Sequence, residues 1–396
     1  MKPLRSIASA MAGVLSVLAP PLLAAAPAPL EDDTSHPAQL AIDRGQLSEA
    51  ESLIARAPQS PDARAAAGRL ALMRDDLQAA RGHLDAALAD APLHPQALLL
   101  LIRLAARTGE TAAIVTRTAN LANAHRDSVA AQLAYAEALL AAGNLEPALT
   151  AATRTLKLRE TSVPATKLLA RVYLALGRPL TAEPVLARAL ELERDAEALT
   201  LLAGIRHAEG KRVDARDLLE EAVAVLPGYV EALNSLGAIY IEVRNWDAAS
   251  GVLSRATTLT PRLVPAWINL GCAQRGAALF AEAETSWKQA LAIEPASPEG
   301  WFNLAVLYLE NPLPGRDRLA QLNEAVGAFN AARRNGLVDD RLDRYLEEAA
   351  LLIKQETERR ENEKKQPPPE EGGTPAEPPA DSGGASTSEP EPEETP

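Results

Sequence analysis

Asn269 and Asn303 stand 34 residues apart. An asparagine amide both donates and accepts hydrogen bonds. Two of them in register could hold another polypeptide, or each could bond a neighbouring helix. A parallel row (Asn234, Ile268 and Phe302) keeps the same spacing, Ser235 lies one period before Asn269, and Val306 follows Phe302 by four residues. The parallel row is mostly apolar, so the chemistry on offer is binding to a peptide or a helix. No catalytic arrangement competes with it. The chain has no GxSxG elbow, no phosphate loop and no HExxH helix. His36, His83, His94, His125 and His207 are scattered at non-ligand spacings, and without cysteine partners they make no zinc pattern. The sequence predicts no catalytic residue, no metal site and no cofactor.

The element that positions these residues is a repeat. Residues 231–261 laid over residues 265–295 bring Leu233 to Trp267, Leu236 to Leu270, Gly237 to Gly271, Trp246 to Phe280, Ala249 to Ala283, Ala256 to Ala290 and Pro261 to Pro295. A period of this length marks a stacked array. Within each unit, apolar residues at spacings of three and four predict two helices. Gly237 and Ala249, then Gly271 and Ala283, fall where the helices must approach, since a larger side chain would push their axes apart. The prolines close each second helix.

A large residue, then Leu-Gly, an aromatic, two alanines and a closing proline resemble the tetratricopeptide repeat (TPR) family. Copies begin at 61, 95, 128/129, 163, 196, 230, 264 and 298, with a partial one around Gly45, Ala50 and Ala57. The copy at 95 is weak, because Ile114 and Leu121 replace the alanines. The resemblance implies an all-α, right-handed superhelical array over residues 31–338, about eight full units plus the partial one. It also implies a concave groove lined by the first helices, in which Asn269 and Asn303 hold a peptide backbone beside Asn234, Ser235, Ile268, Phe302 and Val306. Glu231, Pro265 and Glu299 stand where a carboxylate-clamping member carries cations, so a C-terminal carboxylate is a poor ligand.

The ends follow their own rules. Lys2, Arg5, an apolar stretch and LLAAAPAP predict a cleaved signal peptide at 1–26, and hence a periplasmic or secreted protein. Pro20 and Pro21 interrupt the stretch and disfavour a retained anchor. An insertion at 310–324, with Pro312, Pro314 and Gly315, predicts a loop inside the last unit. Residues 339–365 predict a capping helix with a stripe of Leu342, Tyr345, Leu346, Ala349 and Ile353; beyond Lys354 it becomes all charge and projects into solvent. Residues 366–396, rich in proline and glutamate, predict a disordered tail. The net charge is −13 and that tail supplies more than half of it, leaving no basic stripe for nucleic acid. Cys272, the single cysteine, reads as a small apolar residue. All Trp and Phe lie between Trp246 and Phe329, so the alanine-rich N-terminal end should unfold first.

These features predict an exported interaction scaffold of a bacterial-type cell envelope that binds protein partners. Residues 308–334 are loosely similar to envelope TPR proteins associated with myxobacterial gliding motility. A scaffold for polysaccharide export or cell-wall synthesis, and a periplasmic chaperone for unfolded clients, are the alternatives.

Overall fold

A computed structural model describes residues 36–365. The signal-peptide and tail segments lie outside them. Among the described residues there are nineteen helices and no strand. The partial pair is α1 (Pro37–Asp43) and α2 (Leu47–Arg56). The next pairs are α3 (Pro61–Met73) with α4 (Leu77–Asp90), α5 (Pro95–Thr108) with α6 (Thr111–Ala124), and α7 (Val129–Ala141) with α8 (Leu145–Leu158). They are followed by α9 (Val163–Ala175) with α10 (Pro179–Leu192), and α11 (Ala196–Ala208) with α12 (Arg212–Val225). Three more complete the array: α13 (Val230–Glu242) with α14 (Trp246–Leu259), α15 (Val264–Gly276) with α16 (Phe280–Ile293), and α17 (Pro298–Glu310) with α18 (Arg318–Arg334). The cap is α19 (Leu342–Lys365).

Most pairs close on one small residue. A methyl group on Gly237 would fall within 2.4 Å of the Leu253 side chain, and one on Gly271 within 2.5 Å of the Trp287 indole nitrogen. That indole lies fully buried across α15 and donates to the Ile268 carbonyl oxygen at 3.1 Å. Consecutive pairs are tied in turn. Trp267 and Trp301 each donate their ring N–H, at 2.8 Å, to the carbonyl of the proline closing the preceding unit, Pro261 and Pro295.

The pair α5/α6 reverses the pattern. Ile102 occupies the place of Gly68 and Gly271, and Thr118 occupies that of Leu84 and Trp287. With Ile114 added, the two helices stand apart, and α5 leans instead on α7. The weak copy at 95 is therefore a splayed unit.

Every turn between paired helices but the last carries a residue at positive φ two places before its second helix: Gly45, Asp75, Gly109, Gly143, Gly177, Gly210, Arg244 and Ala278; in the last turn the positive φ falls at Gly315 instead. In the last pair the equivalent place is Pro312, whose ring fixes φ near −65°. The short turn cannot form there, and the insertion supplies a longer one. Only residues 311–317 are loop, however; the rest of the insertion lengthens α18 at its start. The expected loop is half helix because its residues satisfy open carbonyls at the end of α17. Gln321 donates to the Tyr308 and Asn311 oxygens at 2.9 and 2.7 Å, and Arg318 donates to the Tyr308 oxygen at 2.8 Å. The insertion is thus strapped down.

Leu342, Tyr345 and Ala349 bury the cap against the last unit. The Phe329 and Tyr345 rings stack with centroids 5.5 Å apart, and Phe302 meets both edge-on. The charged part of α19 does not wholly project: Arg360 pairs with Glu356 at 3.0 Å and reaches back to Asp317 at the start of α18.

The superhelix also closes on itself. The turn after α1 sits against the connection before α13, where the Gly228 N–H donates to the Asp43 carbonyl at 2.7 Å. Leu259 covers Gly45, Leu47 and Met73 pack beside Val230 and Leu259, and Arg262 pairs with Asp75 at 2.7 Å. The N-terminal end is thus held by a seam as well as by its own alanine-rich packing.

Two expectations follow from the turns and the splayed pair. Because a left-handed backbone costs L-residues about 1–2 kcal/mol, Arg244→Gly and Ala278→Gly should each stabilise the array by about 1 kcal/mol, net of glycine's own entropy. Denaturant midpoints that fall would contradict this. Hydrogen exchange should be faster in α6 than in α4 or α8, since α6 lacks the close packing on its partner; equal protection in the three would refute it.

Candidate functional site

The asparagine row joins successive first helices. Asn234 and Asn269 are both buried, and the Asn269 Nδ2 donates to the Asn234 Oδ1 at 3.0 Å. One unit on, the repeat sets Asn303 against Ile268, which has no acceptor to offer. Asn303 is likewise buried, and its Nδ2 finds no partner. Phe302 and Val306 belong to the cluster under α19, with Arg341 over the Phe302 ring at 5.5 Å. Of the predicted residues only Ser235 keeps partial exposure. The expected open groove along Asn234, Ile268, Asn269, Phe302, Asn303 and Val306 is therefore not met. These side chains are consumed in packing one helix on the next.

The inner wall lies elsewhere, at the ninth residue of each early first helix. Arg69, Arg103, Glu137 and Arg171 succeed one another every 34 residues. Lys167, Asp195, Glu197 and Glu231 join them. Lys167 bonds Asp195 at 2.8 Å and Glu197 at 3.2 Å; Arg171 bonds Glu137 at 2.8 Å; Arg69 bonds Asp43 at 2.6 Å. The Lys167, Asp195 and Glu197 side chains are all under 8 % exposed. Arg103 sits in the fields of Glu197, Glu231, Arg171 and Glu137, and loss of water lowers its pKa. Burial would raise the Glu197 carboxyl, but Lys167, then Arg171 and Arg103, hold it below the usual range. Burial carries Glu231 up to about 7. The Tyr229 hydroxyl rises well above its ordinary value for the same reason. Six first helices, α3 to α13, thus fill the centre of the coil with opposed charge. The 34-residue spacing of Arg69, Arg103 and Arg171 was the sequence signal for this wall.

Three of the histidines serve the scaffold. His36 and His94 cap α1 and α5 by accepting from the Ala38 and Ala97 N–H groups, and His207 pairs with Glu242 at 2.7 Å. Burial pushes the Cys272 thiol up to about 11, which keeps it protonated at neutral pH.

Large apolar side chains stay exposed along one edge, at the turns between paired helices. Leu180 is 79 % exposed, Val213 60 %, Val243 50 % and Leu279 46 %. They mark four consecutive units from α9/α10 to α15/α16, and Arg178, Lys211, Arg212 and Arg244 lie beside them.

The Asn pair and the orphan give opposite expectations. Asn303→Leu removes a buried unpaired amide and should raise stability by about 1 kcal/mol. Asn269→Leu strands the Asn234 oxygen and should lower it by about 1–2 kcal/mol. Thermal midpoints moving in the reverse order would show that the row is not packed as described.

A tetratricopeptide-repeat family model matches residues 65–113, 167–224 and 268–340. Among solved structures, the APC/C hetero-tetramer Cut9–Hcn1 aligns at TM-score 0.59 with 16% identity, over 77% of this chain and 59% of that one. The chain therefore spans about three fifths of that relative's length. Pseudomonas aeruginosa pilF aligns at TM-score 0.49 with 15% identity, over 56% of this chain and 97% of that one. A thermophilic TPR protein of Thermus thermophilus shares 27% identity over 48% of this chain and 99% of that one, at TM-score 0.38. No curated protein sequence matches. Paired helices closing on a small residue, the 34-residue period and the matching family model lead to one assignment: the chain belongs to the tetratricopeptide repeat family.

Proposed function

We propose that the protein is an exported scaffold of the cell envelope whose protein partners dock on the outer edge of the coil. Its family supports protein–protein interaction as the general role. One observation carries the choice of surface: the inner wall is occupied by the protein's own ion pairs, whereas a large apolar side chain stays exposed at the turn of each of four consecutive units. Isolated exposed leucines mean little, but a row of them marks a contact surface more often than not. Arg178, Lys211 and Arg212 beside the row already pair with Glu146, Glu209 and Glu242, so a partner segment meets the row through an apolar face. Export rests on Lys2, Arg5 and the apolar run that follows. Among the described residues no helix is long and apolar enough to cross a membrane. A chaperone for unfolded clients fits less well, because such clients require an apolar interior.

Two measurements test this reading. Mass analysis of the protein from its native host should give a chain lacking about the first 26 residues; an intact N-terminus would end the export claim. The triple variant Leu180→Asp, Val213→Asp, Leu279→Asp should lose partners recovered by crosslinking in the intact envelope, with an unchanged melting temperature. Undiminished recovery would move the contact surface elsewhere.

A further inference from the structure

We infer that the α1–α2 pair is a detachable latch, and that its closure onto α13 is linked to a proton held on the inner wall. The geometry has three parts. The first is the seam. Apart from its packing on α3, the latch is held by the Gly228 N–H on the Asp43 carbonyl, by Leu259 on Gly45, and by Leu47 beside Val230. The fit at Gly228 allows no side chain: a methyl group there would come within 2.5 Å of the Ile42 oxygen and 2.7 Å of the Asp43 oxygen.

The second part is what stands beside the seam. Glu231 follows directly on the seam residues Gly228, Tyr229 and Val230. The groups facing it are Arg103 on α5, Arg69 on α3 and Glu197 on α11, with Asp43 of the latch bonded to Arg69. Around this centre stand four cations (Arg69, Arg103, Lys167, Arg171) and five carboxylates (Asp43, Glu137, Asp195, Glu197, Glu231). The set is neutral when one carboxyl carries a proton. Glu231 is the member for that role, because burial, opposed by Arg103 and Arg69, brings it to about 7.

The third part is a weak point in the latch. Gln39 lies one helical turn before Asp43 on α1, is 2 % exposed, and neither atom of its amide has a partner. A buried unpaired amide favours the open form, in which water reaches it.

The direction of the pH effect follows from linkage. Opening takes Asp43 away from Arg69, leaving that guanidinium to the Glu231 carboxylate, and Glu231 moves back toward the ordinary carboxylate range. The closed form therefore holds a proton that the open form releases, so closure is favoured at low pH. This contribution weakens as pH rises from the ordinary carboxylate range through about 7, and it levels off above. For a carboxyl shifted from about 4.5 to about 7, the opening equilibrium rises about tenfold between pH 6 and pH 8.

Hydrogen exchange of the whole chain, with labelling times corrected for intrinsic rates at the two pH values, reads this opening in residues 37–56. Protection there should fall about tenfold from pH 6 to pH 8. In Glu231→Gln, which keeps the shape and cannot ionise, protection should stay high at both. Gly228→Val should abolish protection in residues 37–56 at both pH values while α17 and α18 remain protected. A pH-independent wild type, or a Glu231→Gln variant that responds as wild type does, overturns the proton linkage. Full protection of residues 37–56 in a folded Gly228→Val protein overturns the latch.

Discussion

The structure depends on how closely the two helices of a pair approach. Gly271 lets the Trp287 ring lie across the helix backbone, and Gly237 does the same for Leu253. Helix pairs packed this tightly have little freedom in crossing angle, since ridges and grooves admit few arrangements. One angle repeated along the chain produces a coil of fixed pitch. The pitch then decides whether successive turns touch. Here they do, so the connection before α13 meets the turn after α1. The seam, the enclosed charges and the free apolar edge are consequences of a contact made at one residue in each unit.

The splayed pair shows what happens when that contact changes. Ile102 and Ile114 add volume where the other units have little, and Thr118 gives back part of it on the facing helix. The exchange is incomplete, so α6 moves out and α5 leans toward α7. The core there stays filled, with Leu98, Leu101, Ile102 and Leu104 buried, but the unit no longer matches its neighbours. It carries Arg103 and lies along the chain between the two sides of the seam, the turn after α1 and the connection before α13.

The array was legible because its determinants are local and periodic. Glycine, alanine and proline at fixed places name the approach points and helix ends without any knowledge of distant contacts. Pro312 likewise announced a different turn, although not that Arg318 and Gln321 would convert half of the insertion into helix. The proposed groove failed for a related reason. Asn269 and Asn303 were periodic, but periodicity alone does not say whether a row faces solvent or the next helix. The bond from Asn269 to Asn234, and the absence of one at Asn303, depend on what stands one place earlier in the preceding unit. The seam was beyond reach altogether. It joins residues that lie six units apart, and its location depends on the accumulated angle between them.

The charged interior follows from that accumulation. An open coil would leave Arg69, Arg103, Glu137 and Arg171 on a wet concave wall, where ion pairs contribute little. Closure takes them out of water, and buried pairs rarely repay the full loss of hydration. Hydrophobic side chains at these places would stabilise the closed ring more, so the arrangement is not explained by stability alone. What opposed charges supply instead is selectivity of fit: Lys167 reaches Asp195 and Glu197 only when α9 and α11 stand in one register. A misaligned closure would bury a charge without its partner, at a cost far above that of a misplaced leucine. The inner wall therefore penalises every pitch except the one at which the first pair meets α13. A coil held at that single pitch keeps Leu180, Val213, Val243 and Leu279 in a fixed row, as a rigid docking edge requires.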